Sequence, residues 1–523
     1  MKNLETRTIG LILLISGALY LSWVVAHINT QHLWFSLFSL LISVFSVISS
    51  ILLVINNWSW KRPVIHKLAH GNEPKVGIII PTWSEDPKLV QSVAKSVLAQ
   101  DYPLEKIVLV ISDDARNEEL EALTYQLMNQ YPTASIIYHT PPKKGDPLRK
   151  GEGKAGNLNS ALELLSRDPS IHFIETRDAD DFVVDKNFLR IVTAHLVRDE
   201  KLAFVQTIKK SKVNANDSFS NNETLFYHSL MLSKNAANAV FPCGSGLLWR
   251  KEALLDIDGF PSWNLVEDFQ SGLEALRRGW KGEFVPIVGA YTKTPPEDIP
   301  NVYKQRGTWA ADSLRLMFYL NKKGLTLRQK LHFIEPGWFY IFSGAYFLSG
   351  LIPVITLMYG ILPVTQGGFD YFINVTPYIL STYLFLLSLD RKQGVGHRDI
   401  MNTIRLGFQL GPVYFGSLIR TLIYGKHRKP AYRLTRKYNR PGIYFGKTFT
   451  QTLMTALLIY ATYIHIMNAG GDITKINLST LPWALTHIYF LGGMFRLSVY
   501  KFNPFRLIGE NIGLIPKTKQ AYQ

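Results

Sequence analysis

The sequence of 523 residues is poor in cysteine and lacks basic residues over two long stretches. Its single cysteine, Cys243, excludes an internal disulfide, so nothing indicates an oxidising compartment. No Lys or Arg occurs between Arg7 and Lys61, or between Lys330 and Arg391. With 47% hydrophobic and 19% charged residues overall, this uneven pattern excludes a disordered chain and a single ordinary soluble domain. It indicates a membrane protein that carries a large aqueous domain.

Six apolar runs approach the roughly 20 residues needed to cross a bilayer, at 10–26, 33–55, 337–362, 371–389, 448–467 and 481–495. We therefore expect two membrane helices in 1–60, an aqueous domain in 61–330, two membrane helices in 331–400, two more in 446–500 and a tail in 501–523. Between them, 401–445 holds a segment, 401–424, that Arg405 and Arg420 interrupt. We expect it to lie on the membrane surface, and seven or eight spans are the alternative.

The net charge of +17 is explained by membrane topology better than by nucleic-acid binding, since many basic residues cluster beside the apolar runs. The positive-inside rule then places both termini and the large domain in the cytoplasm, with the chain in the plasma (cell inner) membrane.

The aqueous domain alternates strand and helix patterns. Short β-branched or apolar runs occur at 76–80, 107–111, 136–138 and 171–174, and helical spacing lies between them at 88–99, 120–128 and 158–165. This alternation predicts βαβ units and a parallel doubly wound sheet. In such sheets ligands bind at the carboxyl ends of the strands.

Acidic residues follow these strands, notably Asp113-Asp114, Asp178-Ala179-Asp180 and, further on, Glu267-Asp268. Carboxylates clustered at one sheet edge repel each other unless a cation compensates them. An Asp-x-Asp pair offers hard oxygen ligands that suit Mg²⁺ or Mn²⁺ carrying phosphate oxygens. A lone Asp-x-Asp is more often a solvated turn or a helix cap, and the prediction depends on the whole set.

In order, this set resembles the motifs of family 2 glycosyltransferases, and more narrowly the processive membrane synthases of cellulose, hyaluronan and chitin. The matching segments are 81–85, 113–114, 154–159, 178–180, 241–245, 267–268 and 305–309. The resemblance implies an α/β GT-A-type (Rossmann-like) cytoplasmic glycosyltransferase domain inserted in an α-helical transmembrane bundle. The stretch from Tyr432 to Lys437 resembles the gating loop of cellulose synthases through Tyr432, Thr435 and Lys437, and a plain lipid-facing charge cluster is the alternative.

The resemblance also assigns roles. Asp268 would be the general base that takes the proton of the acceptor hydroxyl, which implies inversion at the anomeric carbon. Asp178 and Asp180 would hold Mg²⁺ or Mn²⁺ on the donor diphosphate. Donor-binding residues would be Thr82, Glu85, Asp113, Lys154, Asp178 and Arg306, although Asp113 could instead cap a helix. Acceptor-binding residues would be Cys243, Gly244, Ser245, Glu267 and Trp309.

One position departs from the family pattern. Where these enzymes carry Gln-x-x-Arg-Trp, this chain has Thr308 immediately before Trp309. The missing arginine contacts the donor diphosphate, and Arg306, two residues earlier, is the candidate to replace it.

We therefore expect an inverting, processive enzyme that transfers a sugar, with glucose favoured, from a UDP-sugar to the non-reducing end of a β-glycan and extrudes the product. A non-processive enzyme that glycosylates a lipid is the alternative, and a transporter or channel with a nucleotide-sensing domain is a third class. Expected partners are the UDP-sugar, the growing polysaccharide and the bilayer, with no nucleic acid. An accessory export subunit or a second copy of the chain stays open.

Overall fold

A computed structural model describes residues 4–214, 216–390, 396–429 and 438–502 of the chain. Its helices and strands follow in chain order: α1 Leu4–Ala26, α2 Leu33–Asn56, β1 Lys75–Thr82, α3 Pro87–Leu98, β2 Ile107–Asp113, α4 Glu118–Gln130, β3 Ser135–His139, α5 Gly153–Ser166, β4 Ile171–Thr176, β5 Asp181–Phe182, α6 Phe188–Arg198, β6 Leu202–Ser211, α7 Met231–Ala237, β7 Leu247–Arg250, α8 Lys251–Asp256, α9 Asp268–Arg277, β8 Lys281–Thr292, α10 Ile299–Tyr319, α11 Leu327–Leu348, α12 Leu351–Tyr359, α13 Gly368–Asp390, α14 His397–Tyr424, β9 Gly442–Ile443, α15 Phe449–Ala469, α16 Leu481–Leu497 and β10 Val499–Tyr500.

The first strand shows why the aqueous domain has helices on both faces of its sheet. Strand β1 is almost continuously apolar, as expected for a strand covered on both sides. Ile78 and Ile80 pack into the core that contains α3, whereas Ile79 packs into the opposite core that contains α5. Since alternate residues of a strand point to opposite faces, one short run fills two cores. The strands and helices predicted in 76–174 are confirmed, with ends that differ by a few residues.

The parallel pairing predicted from the runs in 76–174 is confirmed for β1 to β4, but the complete eight-stranded sheet is mixed. Its order is β3-β2-β1-β4-β7-β6-β8-β5. Strand β7 runs antiparallel to β4 and β6, and β5 runs antiparallel to β8. Strand β7 enters directly from the 242–246 turn, with Leu247 opposite Thr176 at the carboxyl end of β4. Because β7 starts beside the carboxyl end of β4, it has to run antiparallel to β4. The 242–246 turn is therefore placed over the carboxyl end of β4.

Five helices in the described ranges are long and apolar enough to cross a membrane: Leu4–Ala26, Thr30–Asn56, Leu327–Tyr359, Gly368–Leu389 and Phe449–Ala469. The sixth predicted span coincides with α16, which has only 17 residues. Helix α14 packs closely on α11, where a Cβ on Gly411 would lie 2.4 Å from the side chain of Phe347. Its predicted position on the membrane surface stays a prediction, as does the division into domains.

Candidate active site

A cavity of about 2170 Å³ is lined by the carboxyl ends of the strands, by α10 and by the membrane helices. Nearly all the predicted site residues within the described ranges line it. The two exceptions are Asp113 and Ser245, which are buried behind its wall. The cavity brings together the residues Thr82, Glu85, Lys154, Asp178, Asp180, Cys243, Gly244, Glu267, Asp268, Arg306 and Trp309.

Lys154 connects the predicted donor and acceptor residues. It lies in the first turn of α5, and its Nζ is 2.8 Å from Asp178 Oδ1 and 3.1 Å from Glu267 Oε1. Burial lowers the pKa of Lys154, but the Asp178 and Glu267 carboxylates more than offset this and raise it well above its ordinary value. The side chain is therefore a fixed positive charge between the two predicted sub-sites.

A second lysine, Lys209 on β6, was missed by the sequence interpretation. Its Nζ lies 2.9 Å from Asp178 Oδ2 and 2.7 Å from Asp181 Oδ2. Burial lowers the pKa of Lys209, and Asp178 and Asp181 outweigh that effect and raise it. The Lys-Lys pair at 209–210 gave no signal in the sequence, because nothing there shows that β6 brings it next to Asp178. Both oxygens of Asp178 thus face an ammonium group.

The turn before β7 passes close to the candidate base, Asp268. Gly244 has φ +82°, and a Cβ there would lie 3.1 Å from Asp268 Oδ2 and 3.4 Å from Lys154 Nζ. Only glycine suits both this backbone conformation and this close approach. Ser245 is buried, and its Oγ accepts a hydrogen bond from Asp178 N, at 3.1 Å, so it orients the backbone of the Asp-x-Asp segment.

Asp268, the predicted general base, lies in surroundings that raise its pKa. It begins α9, and its Oδ1 accepts a hydrogen bond from Phe269 N at 2.7 Å. Burial and the neighbouring Glu267 raise the pKa of Asp268 to about 7, although Lys154 opposes them. A base is most effective when its pKa lies near the working pH, so this environment suits proton abstraction.

The loop before Asp268 is held by α10 through residues that sequence reasoning also missed. The Asp312 carboxylate accepts hydrogen bonds from Leu265 N at 2.7 Å and Val266 N at 3.2 Å. Arg315 is 1% exposed and donates to Asn264 Oδ1 at 3.3 Å and to the carbonyl of Arg428 at 2.9 Å. Asp312 and Arg315 lie in the run 310–317, whose other residues are apolar apart from Ser313, and this surrounding composition could have indicated that the two charges are buried.

The predicted donor-binding residues Thr82, Glu85 and Asp113 make contacts that differ in part from those predicted. Thr82 Oγ1 donates to Glu85 Oε2 at 3.0 Å, which stabilises the turn after β1. The Asp113 carboxylate accepts hydrogen bonds from Ala115 N, Asn117 N and the Tyr138 hydroxyl, at 2.9, 2.6 and 2.9 Å. These contacts stabilise the turn after β2, and the alternative interpretation of Asp113 as a helix cap is wrong, because Asn117 caps α4 by accepting a hydrogen bond from Leu120 N. Its contact with a nucleotide stays a prediction.

The helix that carries Trp309 gives Arg306 an unexpected environment. The Arg306 guanidinium donates to the Glu223 carboxylate and, at 2.9 Å, to the carbonyl of Phe219. Thr308 Oγ1 donates to the carbonyl of Lys304 at 2.8 Å, so it satisfies its own helix. The role of Arg306 at the donor diphosphate stays a prediction, and its observed partners lie in the 217–223 loop.

The carboxylates of Asp178 and Asp180 fit a divalent cation that arrives with the phosphates of a substrate. Asp178 and Asp180 both line the cavity. Within the part of the chain that the structure describes, no group of three or more His, Cys, Asp or Glu side chains is arranged to hold a metal alone. Mg²⁺ is commonly bound by one or two carboxylates together with substrate phosphates, and this pair offers that number. The residues of the predicted gating loop, Tyr432, Thr435 and Lys437, lie outside the described residues.

The sheet and the carboxylate cluster beside it agree with the glycosyltransferase domain predicted from the sequence. Residues 74–311 match the family described as "Glycosyltransferase like family 2". A mannosyltransferase from Pyrobaculum calidifontis, solved with GDP-Man and Mn²⁺, shares the fold with a TM-score of 0.52 and 15% identity. The alignment covers 74% of this chain and 99% of that one. The chain therefore contains a glycosyltransferase domain with a GT-A fold that is similar to the family 2-like enzymes over residues 74–311, and the predicted resemblance is confirmed.

Among curated proteins, the chain is similar to bacterial proteins named cellulose synthase catalytic subunit (UDP-forming). That of Xanthomonas axonopodis pv. citri (strain 306) is 26% identical over 273 residues, which are 50% of this chain and 35% of the relative. That of Pseudomonas fluorescens (strain SBW25) is 26% identical over 317 residues, 58% of this chain and 40% of the relative. The matches thus span well under half the length of these relatives.

Proposed function

We propose that the protein is an inverting, processive synthase that transfers a sugar from a UDP-sugar to the non-reducing end of a growing β-glycan and extrudes the product across the membrane. The UDP donor is suggested by the relatives' names, and glucose is favoured for the same reason. The catalytic domain would lie on the cytoplasmic side of the plasma membrane.

The extent of the cavity is the main support for this proposal. Its lining includes Asp268 and Trp309 and also hydroxyl and aromatic side chains of the membrane helices. The Tyr378 hydroxyl lies 2.9 Å from Ser46 Oγ and 2.8 Å from Ser50 Oγ, and Trp338 Nε1 donates to Ser49 at 2.8 Å. Other aromatic side chains on this part of the wall are Tyr20, Tyr346, Tyr371 and Trp483. Aromatic faces and hydroxyl groups are suitable contacts for a sugar chain, whereas bulk lipid requires neither.

In the proposed reaction, Asp268 takes the proton of the acceptor hydroxyl as that oxygen attacks the anomeric carbon. The bond to the UDP oxygen breaks on the opposite face, so an α-linked donor gives a β-linked product. Gly244 leaves room for the acceptor beside Asp268, and Trp309 would stack on the terminal sugar.

The leaving diphosphate needs positive charge, and the chain provides several sources. Lys154 and Lys209 already face Asp178. A divalent cation held by Asp178 and Asp180 would neutralise the charge that builds on the leaving group. The donor end of the cavity is further lined by the basic residues Arg116, Lys143, Lys144, Arg149, His427, Arg428 and Lys429. These basic residues can attract an anionic nucleotide sugar before it binds.

The test uses purified protein in lipid nanodiscs with individual radiolabelled UDP-sugars and Mg²⁺ or Mn²⁺. The proposal predicts incorporation from one UDP-sugar into long chains of a single β-linkage, identified by linkage-specific glycosidases. Addition of one sugar to an extractable lipid would support the non-processive alternative. UDP binding without UDP release in any mixture would contradict both.

A further inference from the structure

Helix α10 carries a buried arginine, Arg306, whose guanidinium hydrogen-bonds to other parts of the protein. Arg306 is 6% exposed, although its side chain reaches the cavity wall. Its Nη1 donates to the Glu223 carboxylate, and its Nη2 donates to the carbonyls of Phe219, at 2.9 Å, and Ser220, at 3.2 Å. Burial lowers the pKa of Arg306 but Glu223 outweighs it, so the ion pair is retained. The guanidinium of Arg306 therefore binds the 217–223 loop of the protein itself.

The same guanidinium covers one face of Trp309. Its Cζ lies 4.7 Å from the centroid of the indole ring. Residues three apart on a helix share a face, and an arginine over tryptophan is a favourable cation–π pair. Trp309 lines the cavity, so a sugar that stacks on its ring has to use the face that Arg306 does not cover. Arg306 thereby fixes the orientation of the stacking surface.

The loop on the other side of Arg306 is one that needs to be held. Asp217, Ser220 and Glu223 have φ values of 34°, 49° and 46°, a region that residues other than glycine occupy at a cost. Ser220 and Glu223 also line the cavity. The Arg306 contacts to the Ser220 carbonyl and the Glu223 carboxylate hold two of these positions in place. One side chain thus joins the loop to the aromatic surface.

We propose that Arg306 and Glu223 act as positioning residues for the acceptor: together they set the orientation of Trp309 and the adjacent 217–223 wall, and so the register in which a pyranose end is presented to Asp268. This inference rests on the proposed function. It differs from a diphosphate role for Arg306 in what it predicts, because loss of Arg306 then weakens acceptor binding and leaves UDP affinity unchanged. Thr308 takes no part, since its hydroxyl is bound to its own helix.

The experiment compares wild type with Arg306→Met, Arg306→Lys, Glu223→Gln and the double variant Arg306→Met/Glu223→Gln. Arg278→Met is the matched control, because Arg278 is 39% exposed and pairs with Asp256 and Asp258 away from the cavity. Three quantities are measured: UDP dissociation constant by calorimetry, KM for a β-linked oligosaccharide acceptor, and product length at saturating donor.

For Arg306→Met we expect a UDP dissociation constant within twofold of wild type, an acceptor KM raised about ten- to a hundred-fold and shorter products, because small displacements of a reacting group are costly. Arg306→Lys keeps the charge over the ring but not the fork to the loop, so its effect should be intermediate. Glu223→Gln should change the same quantities, and the double variant should be no worse than Arg306→Met because the two side chains act as one unit.

A UDP dissociation constant that rises tenfold or more in Arg306→Met, with acceptor KM unchanged, would overturn the inference in favour of the diphosphate role. Wild-type values for every variant would also overturn it, while leaving the proposed function intact. If the Arg306 variants do not fold, Glu223→Gln decides alone through acceptor KM. If the wild type transfers no sugar from any UDP-sugar, the proposed function fails and this inference with it.

Discussion

The ionisation of Asp268 makes the candidate base open to a quantitative test. Burial and Glu267 raise the pKa of Asp268 to about 7, against the effect of Lys154. A base must be unprotonated to work, so kcat/KM should fall as the pH drops below about 7, by about tenfold for each pH unit. At pH 6 we expect roughly one tenth of the plateau value.

Two variants sharpen this prediction. Asp268→Asn cannot accept the proton and should lower turnover by at least roughly 10²-fold, with UDP binding retained. Glu267→Gln removes a like charge next to Asp268, so the pKa of Asp268 should fall and the acid limb should move to lower pH.

The assay follows UDP release and sugar incorporation by the protein in nanodiscs from pH 5 to pH 9, with UDP binding measured separately at each pH. A flat profile down to pH 5 would refute the assignment of Asp268 as the base. So would an acid limb that persists unchanged in the residual activity of Asp268→Asn. A joint loss of UDP binding and turnover in Asp268→Asn would make Asp268 a structural residue.

Three further predictions concern the surroundings of the base. Gly244→Ala places a Cβ 3.1 Å from Asp268 Oδ2 at φ +82° and should reduce kcat severely while thermal stability in detergent falls only slightly; wild-type kcat would contradict the close approach. Asp178→Ala should abolish transfer together with UDP-dependent Mn²⁺ binding, measured by electron paramagnetic resonance, and metal-independent turnover by the wild type would contradict the metal assignment. Arg315→Met leaves buried carbonyls without a donor and should destabilise the protein by about 1–3 kcal/mol, seen as a lower Tm, whereas the surface change Arg278→Met should leave Tm unchanged.

The sequence pattern was sufficient for the first half of the sheet. Strands β1 to β4 are short apolar runs between amphipathic helices. The spacing of apolar residues in these segments determines whether each forms a strand or a helix and which side chains face the core. Direction is different, because a short apolar run such as Leu247–Arg250 looks the same whether it runs parallel or antiparallel. The reversal of β7 follows from the turn that precedes it, which only the three-dimensional arrangement shows.

The site was predictable where chemistry requires a residue in a motif, and less so where partners are distant in sequence. Asp178, Asp180, Gly244, Asp268 and Trp309 were named from their motifs and line one cavity. Lys209 and Glu223 were missed, because no local pattern connects them to Asp178 or to Arg306. Asp113 shows the reverse case: its motif position suggested a ligand contact, while its hydrogen bonds serve the Ala115–Asn117 turn.

Under the proposed function, sugar is transferred repeatedly from a UDP-sugar to a glycan that leaves through the cavity between the membrane helices. The most direct measurement is the length and location of the product made by inside-out vesicles containing the protein, supplied with radiolabelled UDP-glucose and a divalent cation. We expect long β-linked chains inside the vesicles, protected from added glycosidase until detergent is present. Products of a single added sugar, or chains fully digested without detergent, would contradict it.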